Sequence, residues 1–337
     1  MTPLLAIIRA VHFAACLLPL SVFGMSALVV NPTMAWMIGE AASLADPCGF
    51  VETFHRRVHR LLAACLALAF VSGFLWLWFS IAGMSGSSLR ESLNADLFKM
   101  VLTQTPPGRV WLLRAGIALA LAGAYQRGFK TARGPFWLCT LLSASLAGSL
   151  AWLGHAAAAE GVLADIHLGA DVLHLLTAAV WPGGLLPFAL LPRPSLRSSA
   201  PIEVHCVATR RFSSVSLMAV GVLAASGSVN SYCLVGNLDA LFSTEYGRLL
   251  LLKLGLFAAI VTLGAVNLLR LKPALSGLPG RAANDGAVLR KLSRNVRMEL
   301  CLAAAILLVV GILGVTPPAR QDADAHRAGD PGLGYHP

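Results

Sequence analysis

The chain has 337 residues, of which 57% are hydrophobic and 12% are charged, and its mean hydropathy is +0.72. A water-soluble domain of this length does not carry so many apolar residues, so the composition excludes that class and predicts an integral membrane protein surrounded by a lipid bilayer. The formal net charge of +10 would suggest a nucleic-acid partner for a soluble protein. Here the basic residues follow the membrane topology, and we expect no nucleic-acid partner.

Eight apolar runs are long enough to cross about 30 Å of hydrocarbon, which takes roughly 20 helical residues. They fall near 7–30, 60–83, 110–126, 135–153, 170–191, 212–235, 249–269 and 298–316. The first run is longer than the apolar part of a signal peptide and lacks a cleavage site, so we expect it to be retained. The third is the shortest and contains Arg114 near its start. The pattern predicts an all-α, polytopic membrane bundle of eight transmembrane helices.

Lysine and arginine are concentrated in alternate connections between these runs. The connections that hold most of the 26 basic residues are 31–60, 127–133, 193–211 and 270–297. By the positive-inside rule these four connections are cytoplasmic. Both termini are then periplasmic, together with the connections 84–109, 154–169 and 236–248.

The two halves of the chain carry matching short motifs in the same order. The pairs are Val11-His12 with Leu173-His174, Arg56-Arg57 with Arg210-Arg211, Ser72-Gly73 with Ser226-Gly227, and Thr105-x-x-Gly108-Arg109-x4-Arg114 with Thr244-x-x-Gly247-Arg248-x4-Lys253. Four helices per half would make the repeats parallel. We therefore predict a four-plus-four duplication, with a first half over 1–153 and a second half over 154–316. A tail rich in Pro, Gly and Asp follows over 317–337, and we expect it to be disordered and periplasmic.

Three histidines, His155, His167 and His174, surround the outward boundary of the fifth predicted helix. A membrane histidine is costly unless it faces the bundle interior, where it commonly serves a ligand or a proton. His167, Asp171 and His174 have the i, i+4, i+7 spacing that places them on one helical face. The repeat puts His12 at the position equivalent to His174. We predict a metal site of these four imidazoles, with Asp171 as a ligand or as the acceptor that orients one of them.

Two other interpretations of these residues stay open. Each histidine taken alone could be an ordinary buried side chain bonded to a carbonyl group. Imidazole suits copper, zinc and iron equally, and two histidines on facing helices could instead be the axial ligands of a haem b.

Other polar residues of the predicted helices are less specific. Arg109, Arg114, Arg248 and Lys253 are predicted to lie at the external ends of their helices, where reaching the lipid headgroups would explain them without a functional role. Lys253 is the residue of this group that we single out as an exception. Asn230 could bond a ligand or a neighbouring helix.

Several segments resemble the bacterial copper-resistance CopD family of inner-membrane proteins. They are H-L-L-T-A-A-V-W-P-G-G-L-L-P at 174–187, R-R-F-S at 210–213, S-G-S-V-N at 226–230 and T-x-Y-G-R-L-L-L-L-K-L at 244–254. The resemblance is densest over 150–275. It implies copper handling at the cytoplasmic membrane, often beside a separate periplasmic CopC-like copper-binding partner. This chain departs from the family at Pro182, where an aliphatic residue is usual, and we expect Pro182 to kink its helix.

The function expected from these observations is copper transport across the inner membrane, in copper resistance or homeostasis, without enzymatic activity. The chain has no G-x-x-x-x-G-K-[ST] motif, so ATP is not the expected energy source. The sequence does not set the direction of transport; we expect uptake rather than export because the candidate site faces outward. The alternative is a haem b-binding membrane protein that transfers electrons.

A reporter fused after Pro337 is expected to be periplasmic, because eight spans place both termini on one side and the basic connections face the cytoplasm. Paired fusions to a phosphatase that is active only in the periplasm and to a fluorescent protein that matures only in the cytoplasm measure this. A cytoplasmic reporter would mean an odd number of spans, with the third run as the first suspect.

Overall fold

The computed structural model describes residues 2–40, 47–130, 136–154, 161–191, 199–271 and 282–320. Over these ranges the chain forms helices and no strand. The helices are α1 (Thr2–Met25), α2 (Asn31–Glu40), α3 (Pro47–Ser85), α4 (Ala95–Gln104), α5 (Pro106–Lys130), α6 (Phe136–Gly148), α7 (Val162–Val180), α8 (Leu185–Ala189), α9 (Ser199–Val235), α10 (Leu238–Ser243), α11 (Glu245–Val266) and α12 (Ala282–Leu313). Short π-helical segments follow α1 and α11, and a 3₁₀ turn follows α6.

Seven helical segments in the described ranges are long and apolar enough to cross a membrane. They are Pro3–Trp36, Glu52–Ser85, Phe136–Leu153, Val162–Ala189, Val204–Val235, Glu245–Leu271 and Arg290–Leu313. The predicted all-α membrane bundle is confirmed. The third predicted run lies in α5, which has 25 residues and is therefore about 37 Å long. It is missing from the seven because arginines lower its hydropathy, so the count of eight depends on α5.

Helix α1 is the centre of the bundle. It packs against α3, α6, α7, α8 and α12. Small residues permit these approaches: Cys16 is fully buried, and Gly311 of α12 lies so close to α1 that an added Cβ would overlap the carbonyl oxygen of Ala6. Close contact of helix backbones through glycine is a common basis of helix association in membranes.

The Thr-x-x-Gly motif makes the same corner in both halves. The hydroxyl of Thr105 accepts a hydrogen bond from the Gly108 amide at 3.1 Å, and that of Thr244 accepts one from the Gly247 amide at 3.0 Å. These threonines cap the first turns of α5 and α11. A Cβ on either glycine would overlap carbonyl oxygens of the short preceding helix. The motif therefore joins α4 to α5 and α10 to α11 by equivalent tight turns.

Helix α7 begins at Val162 rather than at residue 170, so the predicted loop 154–169 is wrong over its second half. Gly161 has a φ of 89°, which turns the chain into the helix. The apolar residues Val162 and Ile166 extend the helix with exposed side chains, as a lipid-facing surface requires. His167 is consequently a buried residue of α7 and not part of a loop above it.

Pro182 breaks its helix instead of kinking it. Helix α7 ends at Val180, and α8 starts at Leu185. Proline supplies no amide hydrogen, and the carbonyl oxygen of Ala179 accepts a hydrogen bond from the Ser21 hydroxyl of α1 at 2.7 Å. An added Cβ on Gly183 would overlap that hydroxyl. The break thus lets α1 approach the backbone of α7.

Replacing Gly311 by alanine is expected to lower stability by about 1–3 kcal/mol, because the new methyl group would push α12 away from α1. The thermal unfolding midpoint of the detergent-purified protein measures the effect. Gly116→Ala is the matched control, since a Cβ there meets nothing within 4 Å. Equal midpoints for the two variants would contradict the close approach of α12 to α1.

Candidate functional site

His174 is held by a hydrogen bond that fixes the position of its ring proton. Its Nδ1 lies 3.0 Å from the Ser226 hydroxyl of α9. That hydroxyl also lies 2.7 Å from the carbonyl oxygen of Val222, which can only accept, so Ser226 donates there and accepts from His174. The proton is therefore on Nδ1. Nε2 keeps its lone pair, which is the form in which a neutral imidazole binds a metal.

The ring of His174 lines a cavity of about 710 Å³ between α1, α7, α8, α9, α11 and α12. The lining is mainly apolar, and its polar side chains are His174, Lys253, Ser228 and Ser231. Gly227 follows Ser226 and lies against the imidazole: a Cβ there would be 3.4 Å from Cε1 of His174. A cavity of this volume with few polar groups is typical of a small-ligand site.

A carboxylate and an ammonium group lie beside this histidine. Asp171 precedes His174 by one helical turn, and its Oδ1 accepts a hydrogen bond from the Asn230 amide at 3.1 Å. Lys253 lies within electrostatic range of both Asp171 and His174. The other oxygen of Asp171 is 3.8 Å from the position of a Cβ on Gly154, immediately before His155 in the chain. Asp171 therefore joins the His174 cavity to the end of the 3₁₀ turn.

His12 has the same anchor but a different neighbour at Nε2. Its Nδ1 lies 3.0 Å from the Ser72 hydroxyl of α3, which donates to a carbonyl oxygen one turn earlier. Its Nε2 accepts a hydrogen bond from the Arg114 guanidinium at 2.9 Å, and the same guanidinium nitrogen donates to Cys16 Sγ at 3.2 Å. His12 lines a separate cavity of about 220 Å³. The lone pair of His12 is thus already in use.

The described residues do not bring the predicted four-imidazole set together. Within them, no three His, Cys, Asp or Glu side chains are close enough to share a metal ion. His12 and His174 face separate cavities, because each bonds a serine on its own neighbouring helix. His167 is buried one turn before Asp171. His155 lies outside the described residues, so its part in a site stays a prediction.

The sequence did not indicate the roles of two basic residues and two serines. Arg114 was expected to reach the headgroups, but it is 2% exposed and donates to Ser149 and to the Leu146 carbonyl. Lys253, which the sequence had set apart from the other basic residues without indicating a role, lines the large cavity. The available signal was the repeat itself, since Ser72 and Ser226 follow equivalent arginine pairs and stand beside equivalent glycines.

Comparison with known proteins gives matches over most of the chain. Residues 1–165 match the family described as copper resistance protein D-like, N-terminal domain, and residues 207–313 match the family copper resistance protein D. No solved structure matches the chain significantly.

Three curated relatives are similar to the chain. Copper resistance protein D of Pseudomonas syringae pv. tomato is 31% identical over 71% of this chain and 77% of its own length. Inner membrane protein YebZ of Escherichia coli strain K12 is 31% identical over 78% of this chain and 83% of its own length. Copper transport protein CutJ of Bacillus subtilis strain 168 is 28% identical over 82% of this chain, which spans only 49% of that relative.

Proposed function

Because the chain belongs to the copper resistance protein D family, we propose that it carries copper through the bacterial inner membrane and that His174 is a copper ligand. The observation that supports this most is the orientation of the His174 ring. Its bond to Ser226 keeps the proton on Nδ1 and leaves Nε2 unprotonated, on a ring that lines the large cavity. Hydrogen bonds of this kind, made by the remote nitrogen, orient metal-binding histidines in general.

Asp171 and the remaining histidines of the same stretch would complete the coordination. Asp171 is one turn from His174, and His167 is one turn further toward the outward end of α7. Asp171 also lies next to Gly154, which His155 follows. We propose His155, His167 and Asp171 as the entry side of a copper path that leads to His174. His12 is left out, because Arg114 already donates to its Nε2.

Lys253 would weaken copper binding at this site and so favour the release of the ion. An ammonium group in an apolar cavity repels a metal cation, and the carboxylate of Asp171 offsets that repulsion. Passage through a membrane requires binding that is strong enough for entry and weak enough for exit. A histidine and a carboxylate opposed by one lysine fit that requirement better than a closed cage of ligands would.

We propose that copper is taken up from the periplasm into the cell. The positions of the basic connections predict that the Val162 end of α7, where the entry residues lie, is on the periplasmic side. A separate CopC-like protein would then deliver copper at that end. Cells that express the protein should gain copper relative to cells that lack it. A fall in cell copper on expression would instead establish export and leave the site proposal intact.

His174→Ala is expected to remove the copper-dependent change in cell copper content, because among the described residues His174 is the one imidazole that lines the large cavity. Elemental analysis of washed cells measures this, with membrane levels of the protein checked by immunoblot. His55→Ala is the matched control, since His55 is an exposed residue of α3 beside the basic residues that predict a cytoplasmic position.

The visible spectrum of the purified protein separates this proposal from the haem alternative. We expect no Soret band from the wild-type chain. A stoichiometric Soret band that disappears in His174→Ala, with cell copper unchanged, would contradict copper transport and support the electron-transfer function.

Asp171→Asn is expected to weaken copper binding roughly 10- to 100-fold without preventing membrane insertion, as loss of a partner beside a metal ligand commonly does. A competition titration against a chromophoric copper chelator measures the affinity. Asp165→Asn is the control, because Asp165 is an exposed residue in the first turn of the same helix. Equal affinities for the wild type and Asp171→Asn would place Asp171 outside the site.

A further inference from the structure

The small cavity at His12 and the large cavity at His174 are built from equivalent residues. The pairs His12/His174, Ser72/Ser226 and Arg114/Lys253 set the register between α1 and α7, α3 and α9, and α5 and α11. In that register, the residues of α1, α3 and α5 that line the small cavity have equivalent positions in α7, α9 and α11. All of the residues at these equivalent positions line the large cavity, except the one that corresponds to Leu112. The two cavities are therefore the same site of the repeat, present twice.

The charges around the two cavities differ. Asp171 of the second half corresponds to Arg9 of the first, and Asn230 corresponds to Trp76. Both pairs are in contact: Asp171 accepts from Asn230, whereas the Arg9 guanidinium lies 4.2 Å from the centre of the Trp76 ring. The first half thus has a second cation where the second half has a carboxylate. A mobile cation is favoured only at the carboxylate.

Large side chains fill the first cavity. The ring centres of Trp76 and Trp111 are 5.5 and 5.3 Å from that of His12. Their counterparts Asn230 and Leu250 are smaller. This difference in side-chain size is consistent with cavities of about 220 and 710 Å³.

The Arg114 guanidinium sits between two atoms that could bind copper. His12 Nε2 and Cys16 Sγ are 3.5 Å apart, and one Arg114 nitrogen donates to both. Imidazole nitrogen and cysteine sulfur are suitable ligands for copper(I). Two more acceptors hold the guanidinium there, the Ser149 hydroxyl at 2.6 Å and the Leu146 carbonyl at 3.1 Å. A tethered cation therefore has the position that a metal would need.

We propose that the first half is a closed copy of the site, in which Arg114 permanently occupies the His12–Cys16 donor pair, so that the chain has one exchangeable copper position. This proposal rests on the proposed function for the identity of the cargo. The two halves then have different roles. The first half holds the Arg114 guanidinium as a fixed cation, and the second half binds and releases a copper ion at His174.

Copper(I) stoichiometry of the full-length, detergent-purified chain tests this, with anaerobic titration against a chromophoric copper(I) chelator. Wild type should retain one copper(I), and His174→Ala none. His12→Gln should still retain one, because glutamine keeps an acceptor for Arg114. Arg114→Leu should bind a second copper(I), and Arg114→Leu with Cys16→Ser should return to one. Arg109→Leu, an exposed arginine of α5, should behave as wild type.

The outcomes separate the closed copy from the copper function. Loss of copper in His12→Gln would overturn the closed copy and leave the proposed copper transport intact. If Arg114→Leu does not fold, the copper content of His12→Gln is sufficient to test the closed copy. A wild-type chain without copper would overturn the proposed function. In that case a copper(I) gained by Arg114→Leu and lost with Cys16→Ser would still support the closed copy, and no gain would overturn it.

Discussion

The hydrogen bond from a histidine Nδ1 to a serine hydroxyl on the neighbouring helix sets the arrangement of both halves. It joins α1 to α3 through His12 and Ser72, and α7 to α9 through His174 and Ser226. Such bonds between membrane helices stabilise by only about 0.6 kcal/mol on average, so their main effect is not on stability. Their effect is orientation: each keeps the ring proton on Nδ1 and leaves Nε2 as an acceptor, and the nearby basic residue of α5 or α11 decides what that nitrogen does.

That residue is a cation in both halves, and its surroundings decide whether the site is closed. Arg114 has acceptors on α1, on α6 and in the 3₁₀ turn, which match the many donors of a guanidinium. Lys253 has a single compact charge near Asp171 and a cavity around it. The planar guanidinium of arginine, with its several donors, can occupy a polar site completely, whereas the single terminal nitrogen of lysine leaves space for a bound ion. The same fold therefore provides one filled position and one open position.

The large cavity is also coupled to the centre of the bundle. Pro182 and Gly183, where α7 is broken, line it together with residues of α1. The Ser21 hydroxyl of α1 donates to the carbonyl oxygen of Ala179 at this break. An interrupted helix beside a cavity is the usual place for irregular backbone within a membrane, because freed carbonyl groups need partners there. A change in the position of α1 would therefore reach the cavity directly.

The sequence by itself determined the all-α membrane bundle, the positions of most spans and the family. Each of these depends on hydropathy or on local motifs, and bilayer thickness sets the length of a span whatever its neighbours are. Only the tertiary structure decided which way the polar side chains point. His12 and His174 face different cavities, and Arg114 is buried instead of reaching the headgroups, because the rotation of each helix about its axis follows from packing against other helices. Periodicity along one helix carries no information about that rotation.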